Sequence, residues 1–136
     1  MSDPVYRVRT DGASRGNPGP AAIGVSIEDA SGREVATASE TIGVTTNNVA
    51  EYRAVVRALE LLAELGARRA EFLLDSELIV RQLEGRYRVR NPRLRDLFDA
   101  VQSGLRTLAA ATFRHVPREE NTRADALANR ALDRNL

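Results

Sequence analysis

The segment RTDGASRGNPGP, residues 9–20, decides where the first strand ends and where the chemistry of the chain lies. It follows a strand-like run, VYRVRT (5–10), and places one carboxylate, Asp11, ahead of three glycines and two prolines. Glycine and proline at this density indicate a turn, and glycine lets the backbone come close to another group. The segment therefore predicts a strand that ends at an acid, beside a loop able to contact a ligand.

Two more strand-like runs follow, and then the period of the apolar residues changes. AAIGVSIED (21–29) and REVATASETIG (33–43) flank a Ser-Gly turn, which predicts an antiparallel meander of three strands. Helical spacing and short apolar runs predict the remaining elements in this order: helix 47–67, strand 69–76, helix 76–85, helix 91–108, strand 111–117 and helix 121–136. This order favours an α/β fold in one domain, residues 1–136, with helices on the faces of a mixed sheet.

The composition excludes several classes of site. The 136 residues include no cysteine, which leaves no disulfide, thiolate nucleophile or thiolate metal ligand. No apolar run reaches membrane-spanning length and the N-terminus lacks a signal-peptide core, so we expect a cytoplasmic protein without membrane contact. All 20 basic residues are arginine, and five of them lie in GRYRVRNPRLR (85–95) without an acid, which predicts a local basic patch.

Four carboxylates fall where the predicted elements begin or end. Asp11 ends the first strand and Asp75 ends the fourth. Glu51 lies in the first turn of the long helix, and Asp125 lies in the first turn of the last helix. Strand ends and helix starts at one edge of a sheet converge, and ligands of open α/β sheets bind at such an edge. We therefore expect the four acids to meet in one pocket.

Each acid also has a purely local explanation. The residues around the helix starts fit capping boxes, with Asn48 as the cap of the long helix. Asp75 or Ser76 is suited to cap the helix that follows it. Asp11 and Gly12 form a common turn pair. Local roles would explain each acid singly, whereas only a shared site would explain a cluster.

Converging carboxylates repel one another and raise one another's pKa values unless cations lie between them. Oxygen ligands suit Mg²⁺ or Mn²⁺, and two such ions about 3.5–4 Å apart form the clamp used in phosphodiester cleavage. The sequence offers no convincing serine or histidine constellation as an alternative. The acids therefore predict metal-dependent phosphodiester chemistry.

Four segments in this order resemble the type 1 ribonuclease H family: TDGASRGNPGPAAIG, TTNNVAEYRAVVRAL, LLDSELIVRQL and NTRADALANRAL. The resemblance implies a ribonuclease H-like fold, with a five-stranded mixed sheet and helices on both faces. It also implies endonucleolytic hydrolysis of the RNA strand of RNA/DNA hybrids with two Mg²⁺ or Mn²⁺ ions, leaving 5′-phosphate and 3′-hydroxyl ends. The family's metal-binding acids fall on these residues: Asp11, Glu51, Asp75 and Asp125.

The same resemblance implies a set of substrate contacts. The residues that would face the RNA minor groove, where 2′-hydroxyls are displayed, are Gly12, Ala13, Ser14 and Asn17. Asn47 would reach base edges or sugars, and Glu77 stands where many relatives have glutamine. Thr46 and Asn48 match the pair that grips a DNA-strand phosphate, although capping alone is the alternative for the two asparagines. RNA duplex is a second candidate substrate.

Two departures from the family pattern concern the last loop and the basic region. The only histidine, His115, lies at the end of the last strand and is not assigned the catalytic role that a loop histidine has in many relatives. Arg118 lies in the appropriate loop and is a candidate to neutralise the leaving phosphate. In place of a long basic insertion there are only the arginines of the short patch, and three of them are candidate phosphate contacts: Arg86, Arg88 and Arg90.

Two other functions remain open from the sequence. One is a module that binds hybrid or RNA without cleavage, although such a module has no need of four acids. The other is a different nuclease or strand-transferase of the same wider fold. In either case we expect a monomer without an organic cofactor.

Overall fold

A computed structural model describes residues 3–134 of the chain. The strands are β1 (Val5–Ser14), β2 (Gly19–Glu28), β3 (Glu34–Thr45), β4 (Arg69–Leu74) and β5 (Ala110–His115). The helices are α1 (Asn47–Glu64), α2 (Glu77–Leu83), α3 (Pro92–Leu105) and α4 (Thr122–Arg134), and a single 3₁₀ turn, Arg118–Glu120, precedes α4. The elements follow one another in the predicted order. The predicted last helix includes residues 135 and 136, and the predicted domain also includes residues 1 and 2; these four residues lie outside the described range.

The strands form one five-stranded mixed sheet in the order β3-β2-β1-β4-β5. β1 pairs antiparallel with β2, and β2 pairs antiparallel with β3. β1 pairs in parallel with β4, and β4 pairs in parallel with β5. The predicted meander followed by parallel additions is therefore confirmed, and β1 is the central strand.

Helices α1 and α4 lie on opposite faces of this sheet, and a glycine on each face permits the close approach. A Cβ on Gly12 would lie 2.3 Å from the backbone of Ala50 in α1. A Cβ on Gly24 would lie 2.0 Å from the backbone oxygen of Ala124 in α4. Gly12 pairs with Ile23, the neighbour of Gly24, so the two glycines point to opposite faces. Both contacts lie level with the predicted acids. The two glycines therefore allow close packing of α1, which carries Glu51, and of α4, which carries Asp125.

The main core fills the α1 face. Its largest fully buried side chains include Tyr52 and Leu62 from α1 and Phe72 from β4. The ring of Phe72 stacks on Phe113 of β5, with ring centroids 4.9 Å apart. A smaller cluster on the other face joins Ala22 of β2 to the apolar side of α4. The amphipathic period of α1 and α4 thus packs these two helices on the sheet, and α3 packs on α1.

Two predicted boundaries are wrong in a way that matters for the site. Asp11 does not end the first strand, because β1 continues to Ser14 by pairing with β2. The pairing of β1 with β4 stops at Arg9, so Asp11 lies just beyond the parallel ladder. The cap of α1 is Thr46, whose hydroxyl accepts from the N–H of Val49 at 3.2 Å, and not Asn48. Asn48 is already inside the helix, so capping does not explain it.

Within residues 3–134, none of the helices combines the length and the apolar character that crossing a bilayer requires.

Candidate active site

Three of the predicted acids form a tight cluster just beyond the parallel pairing of β1 with β4. Asp11 of β1, Glu51 of α1 and Asp75 after β4 each offer a carboxylate oxygen, and these atoms lie within 4.8 Å of one another. Asp11 and Glu51 are buried, whereas Asp75 is partly exposed. Asp125 of α4 lines the same cleft, of about 530 Å³, but lies outside the 4.8 Å group.

The local structure leaves these carboxylates free for other partners. Ser76 caps α2 by accepting from the N–H of Ile79 at 3.4 Å, so Asp75 is not the cap. The N–H of Gly12 donates to Oε1 of Glu51 at 3.1 Å. Oε2 of Glu51 is buried and has no hydrogen-bond partner among residues 3–134. A buried carboxylate oxygen without a donor is costly unless a cation or another donor satisfies it.

The acids oppose one another's ionisation. Burial raises the pKa of Asp11, and the neighbouring charges of Glu51 and Asp75 raise it further. Burial also raises the pKa of Glu51, although the hydrogen bond from the N–H of Gly12 partly opposes that change. The cluster therefore favours a bound proton on Asp11 when nothing else supplies positive charge.

The residues present fit a divalent metal ion. The donor set consists of carboxylate oxygens, which hard cations such as Mg²⁺ and Mn²⁺ prefer. Glu51 has a buried oxygen without a donor, and a cation among the acids would offset the repulsion that raises the pKa of Asp11. The arrangement is able to hold metal and to present it to the open cleft.

Asp125 has partners of its own. Nδ2 of Asn129 donates to Oδ1 of Asp125 at 3.2 Å and to its backbone oxygen at 3.0 Å. Nη2 of Arg118 lies 4.0 Å from the same Oδ1, with the arginine side chain 81% exposed. Arg118 therefore lies at the mouth of the acidic cleft, as the sequence predicted for its loop. The sequence did not predict Asn129 as a site residue. Its position one helical turn after Asp125 could have indicated that the two side chains lie together.

The opening segment forms one wall of the cleft. The predicted contact residues that line it with the acids are Gly12, Ala13, Ser14, Asn47 and Asn48. Oδ1 of Asn47 accepts from the N–H and the hydroxyl of Ser14, at 3.0 and 2.8 Å. The N–H of Asn47 donates to Oδ1 of Asn17 at 3.1 Å. The end of β1 and the start of α1 are thus fastened together beside the acids.

A second cleft, of about 460 Å³, adjoins the first through Asn48, which lines both. Asn17 and Thr46, both predicted contacts, line it as well. Asn91 and Arg93, which were not predicted as site residues, lie on its other side. Thr46 caps α1 and Asn91 caps α3, so the N-termini of two helices meet at this cleft. The sequence could have indicated Asn91 as a helix cap, because it directly precedes a proline at the start of a predicted helix.

Several predicted contacts line neither the acidic cleft nor its neighbour. Glu77 is exposed at the start of α2 and lies 3.4 Å from Arg81. Arg86 lines a different cleft, next to β5, and lies 3.7 Å from Glu84. Arg88 and Arg90 are exposed and line neither the acidic cleft nor its neighbour. Their contacts with substrate stay predictions.

Comparisons with known proteins agree with this architecture. The family model described as reverse transcriptase-like matches residues 9–131. The chain is 46% identical over 123 residues to the Ribonuclease HI of Halobacterium salinarum, covering 90% of this chain and 62% of that protein. It is 42% identical over 127 residues to the bifunctional protein Rv2228c of Mycobacterium tuberculosis, covering 93% of this chain and 35% of that protein. The chain thus spans about a third of the mycobacterial relative and under two thirds of the halobacterial one.

A relative of similar length and two solved structures complete the comparison. The Ribonuclease H of Verminephrobacter eiseniae is 34% identical over 145 residues, covering 95% of this chain and 91% of that protein. The RNase H1 structure from Halobacterium salinarum superposes with a TM-score of 0.92 at 44% identity, covering 95% and 98% of the two chains. LC11-RNase H1, solved in complex with an RNA/DNA hybrid, gives 0.91 at 45% identity, covering 96% and 98%. The chain belongs to the type 1 ribonuclease H family, in the short form without a long basic insertion.

Proposed function

We propose that this chain is an endonuclease that hydrolyses the RNA strand of RNA/DNA hybrids and leaves 5′-phosphate and 3′-hydroxyl ends. The observation that carries the proposal is the cluster of Asp11, Glu51 and Asp75 within 4.8 Å beside an open cleft. The likeness to LC11-RNase H1, which was solved with an RNA/DNA hybrid, supports this class of substrate.

Asp11, Glu51, Asp75 and Asp125 would hold two Mg²⁺ ions, with Mn²⁺ as a substitute. When bound, such ions supply a lowered pKa of the attacking water and stabilisation of the leaving 3′ oxygen. The N–H of Gly12 donates to one oxygen of Glu51, and the other oxygen has no donor within residues 3–134. Asn129, one turn further along α4, donates to Oδ1 of Asp125. The fold therefore holds the carboxylate oxygens of Glu51 and Asp125 in place for metal binding.

The wall formed by Gly12, Ala13, Ser14 and Asn17 would face the RNA minor groove. The small side chain of Ala13 keeps this wall low, which suits close approach of backbone to 2′-hydroxyls. Asn47 uses its Oδ1 to hold Ser14, so its amide Nδ2 would donate to a base edge or sugar.

The second cleft would accept a phosphate of the DNA strand. Thr46 and Asn48 line it, and the starts of α1 and α3 both lie there, where helix N-termini favour anions. Reaching this cleft while the RNA strand meets the acids requires the second strand to bend. Deoxyribose permits that bend more readily than ribose, so we expect RNA duplex to be cut more slowly than hybrid.

Three further roles belong to this proposal. Arg118 at the mouth of the acidic cleft would neutralise charge on the leaving phosphate, since its guanidinium stays protonated. Arg86, Arg88 and Arg90 would contact phosphates outside the clefts, and Glu77 would lie beside the hybrid. One catalytic domain over residues 1–136, a monomeric state and a cytoplasmic location stay predictions.

A cleavage assay tests the function. End-labelled RNA/DNA hybrid, RNA duplex and DNA duplex are incubated with the protein and Mg²⁺, Mn²⁺ or a chelator. We expect metal-dependent cuts in the RNA strand of the hybrid, which Asp11→Asn abolishes and Asp99→Asn, an exposed acid on α3, leaves unchanged. Binding without cleavage would instead support the non-cleaving module. Cleavage of a DNA strand would support another nuclease of the wider fold.

A further inference from the structure

Asn121 is a fully buried polar residue directly before α4, and it lines neither cleft. Its Nδ2 donates to the backbone oxygen of Thr10 at 2.9 Å and lies 3.4 Å from Oδ2 of Asp75. Both neighbours are acceptors, so the NH₂ end of the amide has to face them. One amide therefore bridges the residue before Asp11 and the carboxylate of Asp75.

The backbone of Asn121 extends the same connection to the remaining acid. Its carbonyl accepts from the N–H of Asp125 at 3.1 Å, in the first turn of α4. Its N–H donates to the oxygen of Arg118 at 2.9 Å, which closes the 3₁₀ turn that carries that arginine. Asn121 thus contacts the central strand, the end of β4, the loop of Arg118 and the start of α4. These are the segments that surround the acidic cleft.

We propose that Asn121 is a positioning residue that sets the direction of the Asp75 carboxylate and the place of Asp125 relative to Asp11. A donor on one carboxylate oxygen selects which lone pairs remain for a cation. A buried amide with bonds to two segments also resists relative movement of those segments. The inference rests on the proposed function, because its consequence is tighter binding of the divalent ion that the acids would hold.

A purely structural role is the competing explanation. Satisfying the buried carbonyl of Thr10 alone would make Asn121 important for stability but indifferent to the metal. The distinguishing quantity is therefore the affinity for metal in a folded variant, and not the loss of stability.

The test is an equilibrium titration of the protein with Mn²⁺, followed by the EPR signal of the free ion, without nucleic acid. We expect Asn121→Ala to weaken Mn²⁺ binding by about 10- to 100-fold, the range seen when the partner of a metal ligand is removed. Asn121→Ser retains a residue that caps helices but is too short to bridge Thr10 and Asp75, so it should weaken binding similarly. If Asn121→Ala does not fold by circular dichroism, Asn121→Ser carries the test.

Tyr52→Phe is the matched control. It removes another buried hydrogen bond, from the Tyr52 hydroxyl to Oε1 of Gln82 at 2.6 Å, and should lower the Tm without changing Mn²⁺ affinity. The Mg²⁺ concentration for half-maximal cleavage should rise in the Asn121 variants and stay unchanged in Tyr52→Phe. A folded Asn121 variant with the Mn²⁺ affinity of the wild type would overturn the inference. Failure of the wild type itself to bind Mn²⁺ would instead count against the proposed function.

Discussion

The backbone N–H of Gly12 donates to the carboxylate of Glu51 across 3.1 Å, and this contact joins the central strand to α1 at the acids. It is possible because position 12 has no side chain: a Cβ there would lie 2.3 Å from the backbone carbon of Ala50 and the nitrogen of Glu51. The two residues that bring strand and helix together are therefore also the ones that define one side of the cluster of acids.

Gly12→Ala should displace the start of α1 and separate Glu51 from Asp11. We expect cleavage to fall by at least about tenfold and stability by about 1–3 kcal/mol, the usual cost of overpacking. Urea unfolding and a hybrid cleavage assay measure the two effects. Gly32→Ala in the β2–β3 turn is the control, because it is strained by its positive φ of 88° but has open space around it. Full activity in Gly12→Ala would contradict the close approach of strand and helix described above.

Asp11→Asn should stabilise the metal-free protein at neutral pH while abolishing cleavage. The pKa of Asp11 is raised, so the folded state holds a proton that the unfolded state releases, and stability falls as the pH rises above the ordinary carboxyl range near 4. Asparagine removes that penalty, which is about 1.4 kcal/mol for each pKa unit by which the fold opposes ionisation. Thermal unfolding in a chelator at pH 5 and pH 8 measures the effect.

Magnesium should reverse this ranking. The wild type gains stability as metal binds the folded state, by about 2.7 kcal/mol at a concentration of 100 Kd, whereas Asp11→Asn gains much less. Asp99→Asn, on the exposed side of α3, should behave as the wild type in both conditions. Equal gains in Tm for wild type and Asp11→Asn would show that Asp11 does not take part in metal binding.

The ion pair between Glu34 and Arg123 should protect the protein against acid. Hydrogen bonds from Arg123 and from the hydroxyl of Ser26 lower the pKa of Glu34 to about 2. The stabilisation is present above the unfolded pKa near 4.5 and is lost as the pH falls towards 2. Since the side chain of Glu34 is 34% exposed, we expect it to be worth about 1 kcal/mol or less after solvent screening.

Arg123→Gln should therefore lower stability at pH 6 more than at pH 2.5, as measured by urea unfolding at both pH values. Arg15→Gln, which removes another arginine paired with α4, controls for the loss of one positive charge. A loss of equal size at both pH values would exclude the Glu34 ion pair as the cause.

Arg118→Ala should lower turnover on hybrid by about tenfold, less than the roughly 100- to 1,000-fold cost of losing a donor in an enclosed site, because the arginine side chain is 81% exposed. Arg118→Lys should retain much of the rate, because the proposed role requires charge and not proton transfer. Arg114→Ala is the control, because Arg114 lies in β5 and its guanidinium is 4.0 Å from the carboxylate of Glu71. Single-turnover kinetics measure the step directly, and unchanged turnover in Arg118→Ala would remove the residue from the mechanism.

The exposed arginines between α2 and α3 should govern the salt dependence of hybrid binding. Replacing Arg86, Arg88 and Arg90 by alanine, in the non-cleaving Asp11→Asn background, should make the slope of log K against log salt shallower by roughly 0.9 for each phosphate that is no longer neutralised. The control removes three arginines at the end of the sheet away from the acids: Arg33, Arg68 and Arg106. An identical slope in both triple variants would rule out binding of phosphate by the three arginines.

The sequence predicted the order of elements because each segment has a clear apolar period, and it predicted the acids because they recur at element boundaries. It placed the end of the first strand too early, since the density of glycine and proline conceals the pairing of β1 with β2 up to Ser14. It chose Asn48 over Thr46 as a cap because both are capping residues, and only the packed helix decides the register. Asn121 gave no signal, because a polar residue in a short loop is ordinary until its burial is known.

The central position of β1 has a consequence for the motions of the site. Both edge strands, β3 and β5, are one strand removed from β1, so fraying at either edge leaves Asp11 and its neighbouring strands paired. Amide hydrogen exchange should accordingly be slowest in β1 and β4, which carry or directly precede two of the acids, and fastest along the outer edges. Separating Asp11 from Asp75 would then require the central pair of strands, β1 and β4, to open.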